Sequence, residues 1–311
     1  MRVTNNMIVN DLRRNLNNNM RAMDNWNRQL STTRKLNKPS DNPADLVKAM
    51  RLRTNLVEGE QYIRNIGEAI NFMETTDAAL NDISSILQRV RDLTVKAANG
   101  TNDDRARQAI ADEIGELNKQ IQMIANSTYG TKHIFAGTNV TEKPLQQDDS
   151  GKFIWKGNNE AFEMEIAVGA KFCMNLTNGG MQNFFMENDA PDDVATDKGI
   201  FGILTKLESD IRNVNNGDDL EKISQTLDAL DEKIDVLLTA RASIGARVNR
   251  LELQQNRLQD TKLSFTSLLS QAEDADMAEV IMQLKMQENV FRASLGAGAR
   301  IIQPSLLDFL R

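Results

Sequence analysis

Apolar residues recur every seven positions along two long stretches of this chain. In the first half, this register joins Ile66, Met73, Leu80 and Leu87. In the second half, one register holds Ile223, Leu230, Leu237, Ile244, Leu251, Leu258 and Phe265. A seven-residue apolar repeat is typical of long helices that pack along one another in a coiled coil. The pattern predicts two long helical arms, and the first contains a helix of about 40 residues that ends near Gly100.

The two chain ends carry a weaker form of the same repeat. The apolar positions are Val9, Leu16, Met23 and Leu30 at one end, and Met277, Leu284 and Phe291 at the other. Nine of the first 30 residues are Asn, a poor helix former. Residues 293–299 are small apart from Leu295, and small residues suit helices whose backbones approach closely. We therefore expect residues 1–40 and 270–311 to pair as antiparallel helices that need partners to be stable.

Proline and the aromatic residues divide the chain further. Pro39 and Pro43 mark a loop after the first helix, in which Asn42 can cap the next helix and Pro43 fits its first turn. Eight of the 15 aromatic residues lie between positions 130 and 201, and this composition indicates a separate globular unit. Within it, Phe162, Met164 and Ile166 alternate with acidic residues, a pattern typical of short strands with one buried face.

The predicted fold class is mainly α with a small β insertion, in an elongated rod of long coiled-coil helices. The N- and C-terminal arms pack together in this interpretation. Residues 1–40 and 270–311 form one domain of terminal helices, and residues 41–137 with 201–269 form a helical rod. Residues 138–200 form a β-rich domain that faces solvent.

Composition leaves little room for an enzyme. The single Cys173 excludes an intrachain disulfide, and with the single His133 it excludes a multi-Cys or multi-His metal site. Nucleophilic sites built on Ser/His/Asp or Cys/His are equally disfavoured, and we expect no catalytic residue, metal or cofactor. No run approaches the ~18 apolar residues of a membrane span, and the N-terminus lacks a secretory signal. Composition by itself therefore indicates a cytosolic protein without membrane insertion.

Charge is distributed unevenly along the chain. The net charge is −7, yet residues 1–40 carry eight basic and two acidic side chains. A basic segment of this kind can meet nucleic acid or an acidic protein surface. Except for Trp26, no aromatic residue that could stack on a base accompanies this charge, so pairing with acids elsewhere is the preferred interpretation.

Three motifs resemble the bacterial flagellins. Residues 87–100 are similar to the rod motif of that family, and residues 273–278 to the start of its C-terminal helix. Asp41-Asn42-Pro43-Ala44 is similar to its Asp-Asp-Pro-Ala loop, with Asn42 in place of an acid. The resemblance covers residues 1–135 and 200–311, with the motifs in the family's order. It implies a flagellin-like rod and a structural role in the bacterial flagellum.

Three further segments resemble the hook-associated junction proteins of this family more than its filament flagellins. They are residues 1–4, 134–138 and 304–310. The resemblance implies export through the flagellar type III pathway and a location outside the cell, in place of the cytosol. The implied partners are other copies of this chain, the first hook-associated junction protein, flagellin and an export chaperone, without nucleic acid. A filament flagellin, or a cytosolic coiled-coil interaction protein from a different class, remain the alternatives.

The resemblance also suggests where subunits meet. The predicted contact residues are Asp41, Asn42 and Pro43 in the loop, Gln88, Arg89, Arg91 and Asp92 on the rod, and Leu295, Ala299, Ile302 and Leu306 in the last helix. Each of them has an alternative role in packing within the chain or on a solvated helix face. The last helix could also bind the chaperone before export, as an apolar helix in a groove.

Overall fold

The structure is a computed structural model that describes residues 5–98, 103–147, 153–176, 180–186, 198–213 and 217–302. Within these ranges the helices are α1 Asn5–Thr32, α2 Pro43–Ala98, α3 Asp104–Ala125, α4 Gly180–Phe185, α5 Ile200–Arg212, α6 Gly217–Glu273 and α7 Met277–Ile302. The strands are β1 Thr128–Tyr129, β2 Lys132–His133, β3 Leu145–Gln147, β4 Phe153–Trp155, β5 Glu163–Ala167 and β6 Ala170–Cys173. Consecutive strands form three antiparallel pairs. The mainly helical class with a small β region is confirmed.

The chain divides into two compact units. Unit 1 comprises the described parts of residues 1–58 and 260–311, and unit 2 those of residues 59–259. The domain boundaries expected from the sequence stay predictions. The division into two compact units does not test the expected division into three domains.

The seven-residue repeats form the helical core of unit 2. On α6, the side chains from Ile223 to Leu251 in this register are at most 2% exposed, and Leu258 packs partly buried against the same core. On α2, Ile66, Met73, Leu80 and Leu87 are at most 1% exposed. The helix expected to have about 40 residues has 56, because α2 begins directly after the loop at Pro43.

The described aromatic side chains of this segment belong to the same buried cluster as the helices of unit 2. Phe72 of α2 lies edge-on to Tyr129 and Phe162, with ring centroids 6.0 and 6.3 Å away. Phe185 stacks on Trp155 at 5.2 Å and on Phe201 of α5 at 5.7 Å. A large ring buries 150–250 Å² when enclosed, so these few side chains supply much of the apolar burial beside the helices.

A tight turn at residues 136–138 packs against Asn158. Gly137 has φ +72°, and a Cβ there would lie 2.0 Å from the backbone oxygen of Asn158. The Asn158 side chain accepts a hydrogen bond from the Thr138 backbone N–H at 2.8 Å, and the Asn158 backbone N–H donates to the Ala136 carbonyl at 3.1 Å. Residues 134–138, which carry part of the resemblance, therefore act inside the chain as a docking turn that requires glycine.

Candidate functional site

The loop before α2 is organised by its own side chains. The Asp41 carboxylate accepts hydrogen bonds from the backbone N–H groups of Lys38 at 2.8 Å and Asn37 at 3.0 Å, and these bonds lower the pKa of Asp41 below its ordinary value of 3.8. The Asn42 side chain accepts from the Asp45 N–H at 3.3 Å and donates to its carboxylate at 2.6 Å. Asn42 thus caps α2, as predicted, and Pro43 is the first helical residue.

Beyond this loop, a buried carboxylate joins three segments of unit 1. Glu273, at the end of α6, is 4% exposed. The Arg34 guanidinium donates to it at 2.9 Å, and Arg53 of α2 binds both carboxylate oxygens. Two half-exposed guanidiniums therefore neutralise one buried carboxylate, which satisfies the requirement that a buried charge be paired. We call Glu273, Arg34 and Arg53 the carboxylate node.

Backbone hydrogen bonds run alongside the carboxylate node. The Lys35 N–H donates to the Glu273 carbonyl at 2.8 Å, and the Ala275 N–H donates to the Thr33 carbonyl at 3.0 Å. Thr33 holds a left-handed backbone with φ 60°. The end of α1 and the start of α7 are therefore fastened side by side, and Thr33 provides the sharp turn.

The polar face of α2 at residues 88–92 is partly engaged within unit 2. Arg89 pairs with Glu113 of α3 at 2.6 Å, and Arg91 forms a two-point pair with Asp231 of α6 at 2.6 and 3.1 Å. The hydrogen bond to Asp231 raises the pKa of Arg91 above its ordinary value. Gln88 and Asp92 are exposed and make no side-chain hydrogen bond within the described residues.

α1 and α7 pair in antiparallel fashion through the predicted apolar positions. Met277, Leu284 and Phe291 are half-buried, and Gly298 continues their register by seven residues. Gly298 is buried against Leu12, and a Cβ at position 298 would lie 2.6 Å from its Cδ2. This is the close approach expected of the small residues, whereas a Cβ on Gly296 would meet nothing within 4 Å.

The α1–α7 pair leaves much apolar surface uncovered. No described side chain of α1 is fully buried. The large apolar residues exposed on α7 are Ile281, Met282, Met286, Val290 and Leu295, the last at 48%. Ala299 is also exposed, whereas Leu306 and the side chain of Ile302 lie outside what the structure describes. The pair is thus a two-helix contact with an open apolar side.

The structure brings together residues that the sequence reasoning did not connect. Asp41 to Pro43 lie in unit 1 close in sequence to Arg34 and Arg53, whereas residues 88–92 belong to unit 2. The carboxylate node was missed because Glu273 is one charged residue among many and its partners lie 220 or more positions away. A charged residue at the end of a long apolar repeat, followed by Asp-Ala-Asp, was the available signal.

The described part of the chain contains many carboxylates and several long helices. No group of three or more His, Cys, Asp or Glu within these ranges is arranged to hold a metal ion. In the same ranges, no helix combines the length and apolar character needed to cross a bilayer.

The helical ends of the chain match two family descriptions. Residues 3–140 match the bacterial flagellin N-terminal helical region, and residues 227–310 match the bacterial flagellin C-terminal helical region. Together they cover more than two thirds of the chain. This chain belongs to the bacterial flagellin family. The loop before α2, the polar face at residues 88–92 and the start of α7 lie within these matched regions.

Relatives within the family include both junction and filament proteins. The chain is 24% identical to flagellar hook-associated protein 3 of Escherichia coli over 306 residues, which is 96% of each chain. It is 28% identical to a flagellin of Bacillus subtilis over the full length of both. The solved structure of flagellar hook-associated protein 3 from Legionella pneumophila has the same fold, with a TM-score of 0.63 and 14% identity, over 71% of this chain and 98% of that one.

Proposed function

We propose that this flagellin-family protein is a hook–filament junction protein of the bacterial flagellum. In this role its copies assemble between the first hook-associated junction protein and flagellin. Residues 1–40 and 270–311 line an inner tube, while residues 138–200 face solvent. Export through the flagellar type III pathway places the protein outside the cell, and a chaperone covers the last helix before export.

The observation that carries the proposal is the open apolar side of the α1–α7 pair. Met282, Met286 and Leu295 of α7 are about half exposed or more. Exposed apolar surface of this extent on a helix pair marks a surface that is covered on association. Copies that stack by repeating contacts would cover it without closing into a small ring.

Two features favour the junction role over the filament role. The relatives named flagellar hook-associated protein 3 in Escherichia coli and Salmonella typhimurium align with this chain at 24% identity, over 96% and 86% of it. Residues 134–138, which resemble the junction proteins, form the turn that docks Asn158. A filament flagellin is the second candidate, since the Bacillus subtilis flagellin aligns over its full length at 28% identity.

A deletion strain tests the junction role. Loss of a junction protein leaves hooks without filaments and flagellin secreted into the medium, and both are visible by electron microscopy and by analysis of the culture fluid. Complementation with the wild-type gene serves as the control. Filaments of normal length in the deletion strain overturn the junction role. Absence of all flagellin-like protein from both cells and medium supports the filament role.

A truncation tests the inner-tube placement separately. Removing residues 291–311 deletes the last part of α7, and we expect it to abolish motility. Because truncation can also impair export, Leu295→Asp is the second variant, with Val168→Asp as its matched control. Leu295 is 48% and Val168 80% exposed, so neither change disturbs a packed core. A motile Leu295→Asp strain, or equal loss of motility in both point variants, overturns the placement.

A further inference from the structure

The two units carry opposite net charges. Residues 1–58 and 260–311 contain 16 Lys and Arg against 12 Asp and Glu, for a net charge of +4. Residues 59–259 contain 21 basic and 32 acidic residues, for a net charge of −11. The overall charge of −7 hides this separation. Unit 1 of one copy is therefore attracted to unit 2 of another over distances up to the Debye length.

Unit 1 presents an apolar stripe with basic flanks near the start of α2. Val47, Met50 and Val57 are 50%, 58% and 65% exposed, and their spacing places them along one helix face. A shallow depression of about 470 Å³ lies at Val47 and Met50. Lys48 and Arg51 are exposed beside it, and neither forms an ion pair within the described residues. We call these five residues the α2 stripe.

Unit 2 presents a face of the opposite character on α6. Asp228, Glu232 and Asp235 are exposed at helical spacing, and none of their carboxylates is paired within the described chain. Val236 lies four residues after Glu232 on the same face and is 37% exposed. We call these four residues the α6 acidic face.

The two most exposed apolar residues on the helices of unit 2 have basic neighbours. Leu253 is 71% exposed but has Arg250 and Arg257 within one helical turn, so a basic partner would be repelled there. Met123 is 69% exposed on α3, four residues after Lys119. The α6 acidic face combines an exposed apolar side chain with three carboxylates at helical spacing that are unpaired within the described residues.

We propose that the α2 stripe of one copy docks on the α6 acidic face of a second copy. Met50 and Val236 lie at the centre of this contact, with Lys48 and Arg51 against Glu232 and Asp235. The two surfaces differ, so the contact is heterologous and repeats from copy to copy. The inference rests on the proposed function and deepens it, because it names the two surfaces through which copies of this chain meet.

Cross-linking between two differently tagged full-length proteins tests the contact. One carries Met50→Cys and the other Val236→Cys, both with Cys173→Ser, and a short bis-maleimide joins the thiols. We expect a heterodimer at low salt and a loss of its yield at 0.5 M salt, because ions screen exposed charges. The matched control replaces Val236→Cys with Val168→Cys. No heterodimer, or the same yield with the control, overturns the proposal.

Charge reversal gives the sharper test. Lys48→Glu with Arg51→Glu should lower the heterodimer yield about tenfold, because like charges then face each other. Glu232→Lys with Asp235→Lys in the partner should restore the yield. A reversal without loss, or without rescue, overturns the proposed contact. Filaments in the deletion strain would instead overturn the junction role and leave the cross-link unaffected, so the two failures are distinguishable.

Discussion

Thr33 has a backbone conformation that a β-branched residue rarely adopts. Its φ of 60° lies in the left-handed region, which costs a non-glycine residue about 1–2 kcal/mol. The conformation persists because Thr33 and Lys35 are held by backbone hydrogen bonds to the segment between α6 and α7. The backbone strain at Thr33 is the consequence of the hydrogen bonds that join the end of α1 to the segment before α7.

Thr33→Gly should therefore stabilise the protein. We expect a gain of about 1 kcal/mol, because glycine adopts this conformation without steric cost and the gain exceeds its larger entropy loss. The free energy of unfolding from urea titration measures the effect. Thr54→Gly, in the interior of α2, is the control and should destabilise. A destabilised Thr33→Gly variant would contradict the strain assigned here.

The lowered pKa of Asp41 predicts that the free energy of unfolding depends on pH. Backbone N–H donors lower its pKa in the folded state, so its contribution to stability is present above the unfolded value of 3.8 and is lost as pH falls through the lower folded value. Asp41→Asn should therefore be less stable than wild type at pH 7, and the gap should close below about pH 4. Urea unfolding across this range measures it. A constant gap down to about pH 2 is the opposing outcome.

Glu273 should matter more than any other single charge of unit 1. Glu273→Gln removes a buried negative charge and leaves Arg34 and Arg53 without their partner. We expect the free energy of unfolding to fall by about 2 kcal/mol, which is less than for an ion pair with both partners buried, because the two arginines are half exposed. Hydrogen exchange of the α1 and α7 amides is the measurement. Glu279→Gln, on the exposed side of α7, is the matched control. Equal exchange in the two variants would show that the carboxylate node does not hold these segments.

At the scale of elements, the packing of α1 against α7 depends on Gly298 and not on Gly296. Gly298→Leu collides with Leu12 and should weaken the pair by about 1 kcal/mol after the gain in helix propensity. Gly296→Leu meets open space and should leave the pair intact while raising helicity. Proteolysis of α1 in the purified protein reports both. If Gly296→Leu loosens α1 as much as Gly298→Leu does, the packing differs from the one described.

The long helices were predictable from the sequence because a seven-residue repeat needs only local spacing. Ile223 to Leu251 and Ile66 to Leu87 are buried as the repeat requires. The start of α2 continues that repeat in a weaker form. Ala49 and Leu52 are buried, but Gly59 interrupts the register between Leu52 and Ile66, so the sequence pattern alone did not predict the extra helical turns. Contacts between residues distant in sequence could not be predicted, since the periodicity of one helix does not identify the helix against which it packs.

The same limit applies to the candidate site. The cap by Asn42 followed from local chemistry, whereas the pairing of Arg91 with Asp231 crosses 140 positions. Arg91 was expected to meet a neighbouring copy, and this role stays a prediction for Arg91 as it does for Gln88, Arg89 and Asp92. Residue spacing alone could not distinguish Arg89 and Arg91, which form ion pairs within the chain, from Gln88 and Asp92 on either side of them.

At the scale of the whole molecule, the two units should differ in their resistance to protease. Unit 2 holds side chains such as Leu80 and Leu237 at 0% exposure, whereas no described side chain of α1 is fully buried. Brief trypsin treatment should therefore cut at Arg13, Arg14 or Arg21 before it cuts within unit 2, because cleavage needs local opening. Mass spectrometry of the early fragments identifies the sites. Early cuts confined to unit 2 would contradict this order.

The rings of residues 153–185 fill space between helices, and this restricts how the chain can vary in length. A version shortened to a simple turn between α3 and α5 would lose Trp155 and Phe185 and leave a void beside Phe201 that the remaining helices would have to close. Additions are different: the β5–β6 hairpin ends at Val168 and Gly169, where Val168 is 80% exposed and a Cβ on Gly169 would touch nothing within 4 Å. A peptide epitope or fluorescent label grafted at this hairpin should be tolerated, whereas trimming the same segment should not.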